Sequence, residues 1–380
     1  MYDSNRKAVI TGIGCISPIG RNKVFSLEKL RNKKPGFVLE NIFRISPVEW
    51  EALNKIVSTG EPSIDLAVIS FLDAIQDAGL TIDEIPDNAF LSFSSSKGGL
   101  SSLLNASLNY SDDIYKSIIN FLPVSPLNHI CKLIGKNLPS TNSVSACSTG
   151  LYSIFQALWA IQRGSELAIS GTTESSLILP VINAFNNMGV LTKSSCKPFD
   201  TLRDGFNIGE GAACFIIEEE TRAKYRNAKI YAEISGYGIC TDVSHITALN
   251  KNGDSIAYAI KSALKNKIPD WINAHGTATK LNDLAEYNAF KSVFNNRLNQ
   301  IPVNSFKPYT GHLLGASSAV ETALLLWCMS ENFVPANINL ASPEFDLLLP
   351  KEVIKKEIRS VLKLSYGFGG HIGAAFFEKS

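Results

Sequence analysis

The sequence predicts an α/β fold in which largely buried sheets are layered against helices. Strand-like apolar runs alternate with stretches of helical periodicity along the whole chain, and this alternation is typical of α/β proteins. The chain has 380 residues, 45% of them hydrophobic. It can therefore bury a large core, and it is long enough for two domains or one doubled fold.

Two similar strand-like segments, residues 7–15 and 231–240, open the two halves of the chain. Both end in a Gly-x-Gly sequence and a cysteine, which suggests duplication, with chance similarity of a few apolar and glycine residues as the competing explanation. The charged residues 218–226 lie between the halves and are interpreted as an exposed connector. We therefore predict an amino-terminal half of residues 1–226 and a carboxyl-terminal half of residues 227–380.

Three further elements are predicted in the first half: a helix over residues 64–78, a strand over residues 89–93 and a strand over residues 167–170. Between the two strands, residues 143–150 combine a short β-like run with a tight turn of small residues. Apolar side chains at helical spacing follow, namely Leu151, Ile154, Phe155, Leu158 and Ile161. Cys147 is therefore expected at a strand-to-helix junction.

A cysteine at the start of a helix is a candidate nucleophile. Unpaired N–H groups and the positive end of the helix dipole favour the thiolate, which is the form that attacks a carbonyl carbon. On this local evidence alone, a small buried hydrophobic residue is the commoner explanation for a free cysteine. The six other cysteines are scattered and form no Cys-x-x-Cys pair, so neither a zinc site nor a disulfide framework is predicted.

Composition excludes several classes of partner. There are 36 basic and 35 acidic residues, so no net field attracts nucleic acid or an anionic membrane. The amino terminus has no basic segment followed by an apolar stretch, and the longest apolar run, residues 323–329, is too short to span a bilayer. We expect a cytoplasmic protein with no membrane span and no nucleic-acid partner.

Two downstream histidines share one local design. His275 follows an apolar stretch and precedes small and hydroxylated residues, among them Thr277 and Thr279, which can bind a polar ligand. His312 lies between two glycines, Gly311 and Gly315, ahead of a predicted helix. A lone histidine is usually a surface or satisfied core residue, but the recurrence of the pattern makes coincidence less attractive.

Together these segments resemble the β-ketoacyl-[acyl carrier protein] synthases, condensing enzymes of the thiolase-like superfamily. Five blocks in the family's order carry the resemblance: residues 145–150, residues 197–211 with their Asp-Thr-Leu-Arg-Asp-Gly-Phe and Gly-Glu-Gly sequences, the two histidine segments, and residues 367–370. The resemblance covers nearly the whole chain. It implies the doubled, five-layered αβαβα thiolase-like fold.

The resemblance also implies roles for the nucleophile and the histidines. Cys147 matches the residue on which the family forms its acyl-enzyme. His275 and His312 match the two histidines that promote decarboxylation of malonyl-carrier protein and stabilise the resulting enolate by hydrogen bonds.

Lys307 matches the family's active-site lysine, which belongs to a charge network and is not the nucleophile. Glu286 and Glu321 match the carboxylates expected near it, and burial of Lys307 would require such a partner.

Phe368 matches the family's gating phenylalanine, with flanking glycines that let its loop move. The backbone N–H groups of Phe368 and Cys147 resemble the family's oxyanion hole. Thr277 and Thr279 resemble the hydroxyls that hold the phosphopantetheine arm.

One segment departs from the family pattern. Before the Gly-Phe-Gly-Gly turn, this chain has Lys363 and Leu364 where several relatives have polar residues that help to bind a structural monovalent cation. We therefore hypothesise that the Lys363 ammonium takes the place of the ion's charge, an idea that solvent exposure of Lys363 would contradict.

The resemblance implies an acyltransferase of the 3-oxoacyl-[acyl carrier protein] synthase type, in fatty acid, polyene or polyketide biosynthesis. It implies no metal and no cofactor, because the substrates arrive on the phosphopantetheine arm of an acyl carrier protein. It also implies a homodimer, or a heterodimer with a related synthase or chain-length-factor subunit.

The alternative function is a chain-length-factor-like partner subunit, which Cys147, His275 and His312 argue against. A thiolase is less favoured still, because thiolases use a second cysteine near the carboxyl end.

Overall fold

The computed structural model describes residue 3 and residues 5–109 and 114–379. The strands of this part are, in chain order, β1 (Ala8–Ile16), β2 (Val38–Leu39), β3 (Ile42–Phe43), β4 (Phe90–Ser94), β5 (Ser140–Thr141), β6 (Leu167–Glu174), β7 (Gly211–Glu219), β8 (Ala232–Thr241), β9 (Trp271–Asn273), β10 (Val303–Asn304), β11 (Phe333–Val334), β12 (Ile354–Lys355), β13 (Ser360–Gly367) and β14 (His371–Glu378). The helices are α1 (Lys23–Arg31), α2 (Pro47–Asn54), α3 (Pro62–Asp77), α4 (Leu100–Asn109), α5 (Ile114–Phe121), α6 (Ser125–Ile134), α7 (Thr149–Gln162), α8 (Leu179–Asn187), α9 (Glu220–Tyr225), α10 (Asp254–Leu264), α11 (Lys280–Phe294), α12 (Lys307–Thr310) and α13 (Ser317–Ser330).

Two groups of five strands repeat the same topology. The first group has the order β5-β4-β6-β7-β1 and the second has the order β10-β9-β13-β14-β8. In each group three neighbouring strands are parallel and the last two pairings are antiparallel. The groups meet at β1 and β8, which share only two residue pairs. Because β1 and β8 contain the two similar segments of the sequence, the predicted duplication is confirmed.

Helices complete five layers. The central helices α7 and α13 pack against each other between the two groups of strands. On the outer faces, α3 and α6 cover the first group, and α10 and α11 cover the second. Strands covered on both faces are expected to be buried throughout, and all nine residues of β1 are buried. The predicted αβαβα architecture is thereby confirmed.

The predicted elements of the first half exist, with shifted ends. The helix predicted over 64–78 is α3, which starts two residues earlier at Pro62, a residue that the first helical turn tolerates. The strand predicted over 89–93 is β4. The strand predicted over 167–170 is longer, because the mostly polar residues 171–174 continue β6, pair with β7 and are buried.

The charged stretch between the halves is not simply an exposed connector. Glu218 belongs to β7 and is fully buried, and it accepts a hydrogen bond of 2.9 Å from Arg226 Nε and contacts the Arg222 guanidinium. Residues that follow it form α9. A buried carboxylate requires such positively charged partners. Arg222 and Arg226 follow Glu218 by four and eight residues, a spacing of about one and two helical turns. The division predicted after residue 226 falls between α9 and β8.

No helix in the described ranges is long and apolar enough to cross a membrane.

Candidate active site

Cys147 lies in a single 3₁₀ turn, Ala146–Ser148, that leads directly into α7. The apolar positions predicted for this helix are all buried. Ala146 has φ of +48°, in the left-handed region that a β-carbon disfavours. A second 3₁₀ turn, Leu314–Ala316, leads into α13 in the same way, and Leu314 has φ of +50°. The junction predicted at Cys147 therefore exists, and its predicted tight turn is a strained 3₁₀ turn.

One cavity of about 220 Å³ joins the residues that sequence analysis singled out. Its lining includes Cys147 from the first half of the chain and, from the second half, His275, Thr277, Thr279, His312 and Phe368. The centres of the two imidazole rings are 5.5 Å apart, and their planes are nearly perpendicular. The thiol and both imidazoles thus face one space, at the junction of the two halves.

The His312 ring is oriented by the start of α13. Its Nδ1 lies 2.7 Å from Ser317 Oγ and accepts a hydrogen bond of 3.3 Å from the backbone N–H of Leu314. The Leu313 N–H donates to the same serine hydroxyl over 2.7 Å, so this hydroxyl can direct its own proton to the ring. With Nδ1 as an acceptor, a neutral His312 carries its proton on Nε2.

The loop that carries His275 is held by Glu286. The Glu286 carboxylate accepts hydrogen bonds of 2.7 Å from the backbone N–H groups of both His275 and Gly276, and one of 3.0 Å from Asn282 Nδ2. Burial raises the pKa of Glu286 to about 7. Glu286 was predicted to belong to the Lys307 network, but its contacts go to the histidine loop, and its charge reaches Lys307 only at longer range.

Behind the histidines, Lys307 and Lys363 meet at one carboxylate. Lys307 Nζ donates to Glu321 Oε1 over 2.8 Å and contacts the backbone oxygen of His275, and it lies 3.5 Å from His275 Nδ1. Lys363 Nζ contacts Glu321 Oε2 and donates to the Leu364 carbonyl over 2.9 Å. Since an ammonium can only donate, the Lys307 contact favours the His275 tautomer with its proton on Nε2.

Burial sets the protonation of the reacting groups. Burial and the nearby Lys307 charge lower the pKa of His275 and of His312 well below the usual value, so both rings are neutral at pH 7. Burial raises the pKa of the Cys147 thiol to about 11, although the Lys97 and Lys307 charges oppose the rise. The thiolate expected from the helix start alone is therefore not the resting form, because desolvation exceeds the favourable charges.

The remaining predicted residues complete the cavity. The Phe368 ring stacks on Phe185 with 6.5 Å between the ring centres. Its hairpin comes close to the nucleophile, since a β-carbon at Gly367 would lie 3.1 Å from the Cys147 backbone nitrogen. Thr277 and Thr279 lie with their hydroxyl oxygens 2.9 Å apart on the cavity wall.

Sequence analysis missed Ser317, Lys97 and the aromatic wall of Phe185 and Phe206. The Phe206 ring lies edge-on to His312 with 4.7 Å between the centres. Ser317 follows His312 by five residues, a spacing that could have identified it as the start of the next helix. Nothing local identifies Lys97, which lies beside Phe185 in the loop after β4, in the first half of the chain.

No group of three or more histidine, cysteine, aspartate or glutamate side chains suited to a metal ion occurs within residues 3, 5–109 and 114–379.

Comparison with known proteins gives a consistent result. Residues 26–223 match the family described as "Beta-ketoacyl synthase, N-terminal domain", and residues 231–341 match "Beta-ketoacyl synthase, C-terminal domain". The chain is 31% identical to 3-oxoacyl-[acyl-carrier-protein] synthase 2 of Staphylococcus aureus (strain COL), over 99% of each chain.

Two solved structures are similar over 99% of this chain and 100% of their own, each with 26% identity. One is the ishigamide ketosynthase/chain length factor, with a TM-score of 0.90. The other is a type II polyketide synthase acyl-carrier protein in complex with its ketosynthase bound to the hexaketide, with a TM-score of 0.88.

Proposed function

The chain belongs to the β-ketoacyl synthase family, and from that membership we propose that it is an elongating condensing enzyme in which Cys147 carries the growing acyl group. Such an enzyme is an acyltransferase. It takes an acyl group from one carrier protein, joins it to a malonyl unit on another, and releases CO₂.

Acylation is the first step. The sulfur of Cys147 attacks the thioester carbonyl carbon of acyl-carrier protein, a new C–S bond forms, and the phosphopantetheine sulfur leaves with the thiol proton. The developing oxyanion is stabilised by the backbone N–H groups of Cys147 and Phe368. Thr277 and Thr279 bind the phosphopantetheine arm along the cavity wall.

Decarboxylation is the second step. The bond between C2 of the malonyl group and its carboxylate breaks, CO₂ leaves, and the electron pair moves onto the thioester oxygen as an enolate. The Nε2–H groups of His275 and His312 donate hydrogen bonds to that oxygen. Neutral rings suit this role because they donate a hydrogen bond without fully transferring a proton.

Condensation is the third step. The enolate carbon attacks the carbonyl carbon of the acyl-Cys147 thioester, a C–C bond forms, and the Cys147 sulfur leaves as a thiolate. The product is a β-ketoacyl-carrier protein extended by two carbons. Lys307 and Glu321 orient the His275 loop during this step, and neither group attacks the substrate.

The observation that carries the proposal is a single cavity that contains one thiol and two neutral imidazoles, with ring centres 5.5 Å apart. The same set supports a synthase over the chain-length-factor-like alternative, because such partner subunits typically lack the cysteine.

The test supplies a panel of acyl-carrier proteins together with malonyl-carrier protein and follows CO₂ release and intact protein mass. Cys147→Ala is expected to abolish acylation and condensation, whereas His275→Ala and His312→Ala are expected to retain acylation and lose CO₂ release. Acylation of the wild type without condensation across the panel, or full condensation by Cys147→Ala, would contradict the proposal.

We also propose that a second subunit covers part of the surface, either a second copy or a related synthase or chain-length-factor chain. Apolar side chains of α4 and α5, namely Leu108, Ile118 and Ile119, are exposed, and β5 ends the ten-stranded sheet. Sedimentation of the chain alone distinguishes the two forms, since only a homodimer forms without another polypeptide.

All seven cysteines are free, which supports a reducing compartment such as the cytoplasm.

A further inference from the structure

Lys97, in the loop after β4, lies beside Phe185, an aromatic residue of the wall of the Cys147 cavity. Its Nζ lies 2.9 Å from Ser96 Oγ and 5.8 Å from the centre of the Phe185 ring. Phe185 lines the cavity and stacks on Phe368. The ammonium group therefore lies next to the aromatic pair that borders the nucleophile.

Lys97 has no carboxylate within 4.0 Å of its Nζ among the side chains that the structure describes. The nearest acidic connection is indirect, because Ser96 contacts both the Lys97 ammonium and the buried carboxylate of Glu174. The Lys97 side chain is only half-buried. Among the described side chains, its charge is thus not committed to an ion pair and can act on a ligand.

The field of Lys97 reaches the reacting groups. Its charge lowers the pKa of Cys147 against the larger effect of burial, and it contributes to the low pKa of His312. A charge that acts on both the thiol and this imidazole also acts on the acyl group that Cys147 would hold.

The apolar wall near the Lys97 ammonium lets its charge distinguish between acyl groups. Phe185, Val190 and Phe206 present apolar surface to the cavity. A saturated acyl chain placed here would remove water from the Lys97 ammonium and offer it no acceptor, which is unfavourable. A chain with a ketone oxygen would supply an acceptor for a charge-assisted hydrogen bond.

We propose that Lys97 is a specificity-determining residue that selects keto-substituted acyl groups over saturated acyl groups of the same length. This inference rests on the proposed function, since it concerns the acyl group that Cys147 accepts. Selection arises from the penalty on the wrong chain as much as from attraction to the right one.

The test is a competition between acetoacetyl-carrier protein and butanoyl-carrier protein, supplied in equal amounts without malonyl-carrier protein. The acyl adduct on Cys147 is quantified by intact mass. The wild type is expected to favour the acetoacetyl group by about 10-fold or more, the discrimination typical of a site with a polar group that only one substrate satisfies. Lys97→Met is expected to lose this preference, and Lys97→Arg to keep its direction.

The ratio isolates recognition from reactivity. Loss of the Lys97 charge also makes the Cys147 thiol less acidic, but that change slows both acylations by the same factor. Lys261→Met, which removes one exposed lysine charge on α10, serves as the matched control and is expected to keep the wild-type ratio. Lys97→Gln provides a second neutral variant in case Lys97→Met folds poorly.

The Lys97 inference would be overturned if the ratio of acetoacetyl to butanoyl adduct were the same in the wild type and in both neutral variants. A wild-type preference for the butanoyl group would overturn it as well, and either result would leave the proposed function intact. Failure of the whole panel of acyl-carrier proteins, these two included, to acylate wild-type Cys147 would contradict the proposed function itself.

Discussion

Lys307 and Lys363 bind opposite oxygens of one fully buried carboxylate, that of Glu321. Burial lowers the pKa of Lys363 to about 8, while the Glu321 charge opposes that shift. The hypothesis drawn from the sequence required Lys363 to point inward, and it does. Lys363 therefore stays a candidate substitute for the charge of a monovalent cation, and this role can be tested directly.

Replacement of Lys363 by serine is expected to create dependence on potassium. The variant leaves Glu321 Oε2 and the Leu364 carbonyl facing emptied space, and both are oxygen ligands of the kind that hard cations prefer. Loss of one partner of a buried ion pair costs about 3–5 kcal/mol of unfolding free energy. Potassium chloride should recover part of the melting temperature relative to choline chloride of equal ionic strength.

Lys363→Met is the control for that experiment, because its side chain fills the space without opening a cation site. It should be destabilised to the same degree in both salts. The same potassium dependence in the wild type as in Lys363→Ser would refute the substitution hypothesis.

The rate of Cys147 alkylation should rise steeply with pH. Burial raises the pKa of this thiol to about 11, so the thiolate fraction increases about tenfold for each pH unit below that value. Iodoacetamide labelling between pH 7 and pH 9, assigned to Cys147 by peptide mass, is the measurement. Cys147→Ala gives the background, and a plateau of the labelling rate near pH 7 would show that the helix start outweighs desolvation.

Ser317→Ala is expected to slow decarboxylation by about tenfold, because His312 loses a group that fixes its Nδ1 as an acceptor. The KM for malonyl-carrier protein and the rate of Cys147 acylation should change little, which separates ring orientation from general loss of structure. Ser317→Thr keeps the hydroxyl and should retain most of the activity. An equal fall in acylation and decarboxylation would argue against this positioning role.

Gly367→Ala should disrupt the site from the hairpin side. A β-carbon at this residue would lie 2.4 Å from the Ser145 carbonyl oxygen and 3.1 Å from the Cys147 nitrogen, so the nucleophile turn must shift. We expect a loss of about 1–3 kcal/mol in unfolding free energy and a larger relative loss of acylation rate. Gly373→Ala, in the next strand, is the matched control, since its β-carbon would meet only side-chain atoms at 3.3 Å or more.

Periodicity predicted individual helices and strands, whereas the doubled fold and the residues that share the cavity followed from the resemblance to the β-ketoacyl synthases. These inferences failed where a residue's state depends on contacts distant in sequence. Glu174, at the end of β6, is polar yet fully buried, and the backbone N–H groups of Ser96 and Gly315, both distant in sequence, donate to its carboxylate. The acidity of Cys147 was misjudged for the same reason, since a helix start is a local feature and desolvation comes from the whole fold. Lys97 carries no local signal at all.

The repeated 3₁₀ turns have one further consequence. Gly315 holds in its turn the position that Cys147 holds in the other, two residues before the central helix begins. A β-carbon at Gly315 would lie 2.6 Å from the Ser96 β-carbon and 2.8 Å from Glu174 Oε2. The absence of a side chain at Gly315 thus leaves room for the loop that contains Ser96 and Lys97. The two equivalent turns therefore differ in function: the first turn supplies the nucleophilic sulfur, and the second turn supplies the space in which a loop can pack close to that sulfur.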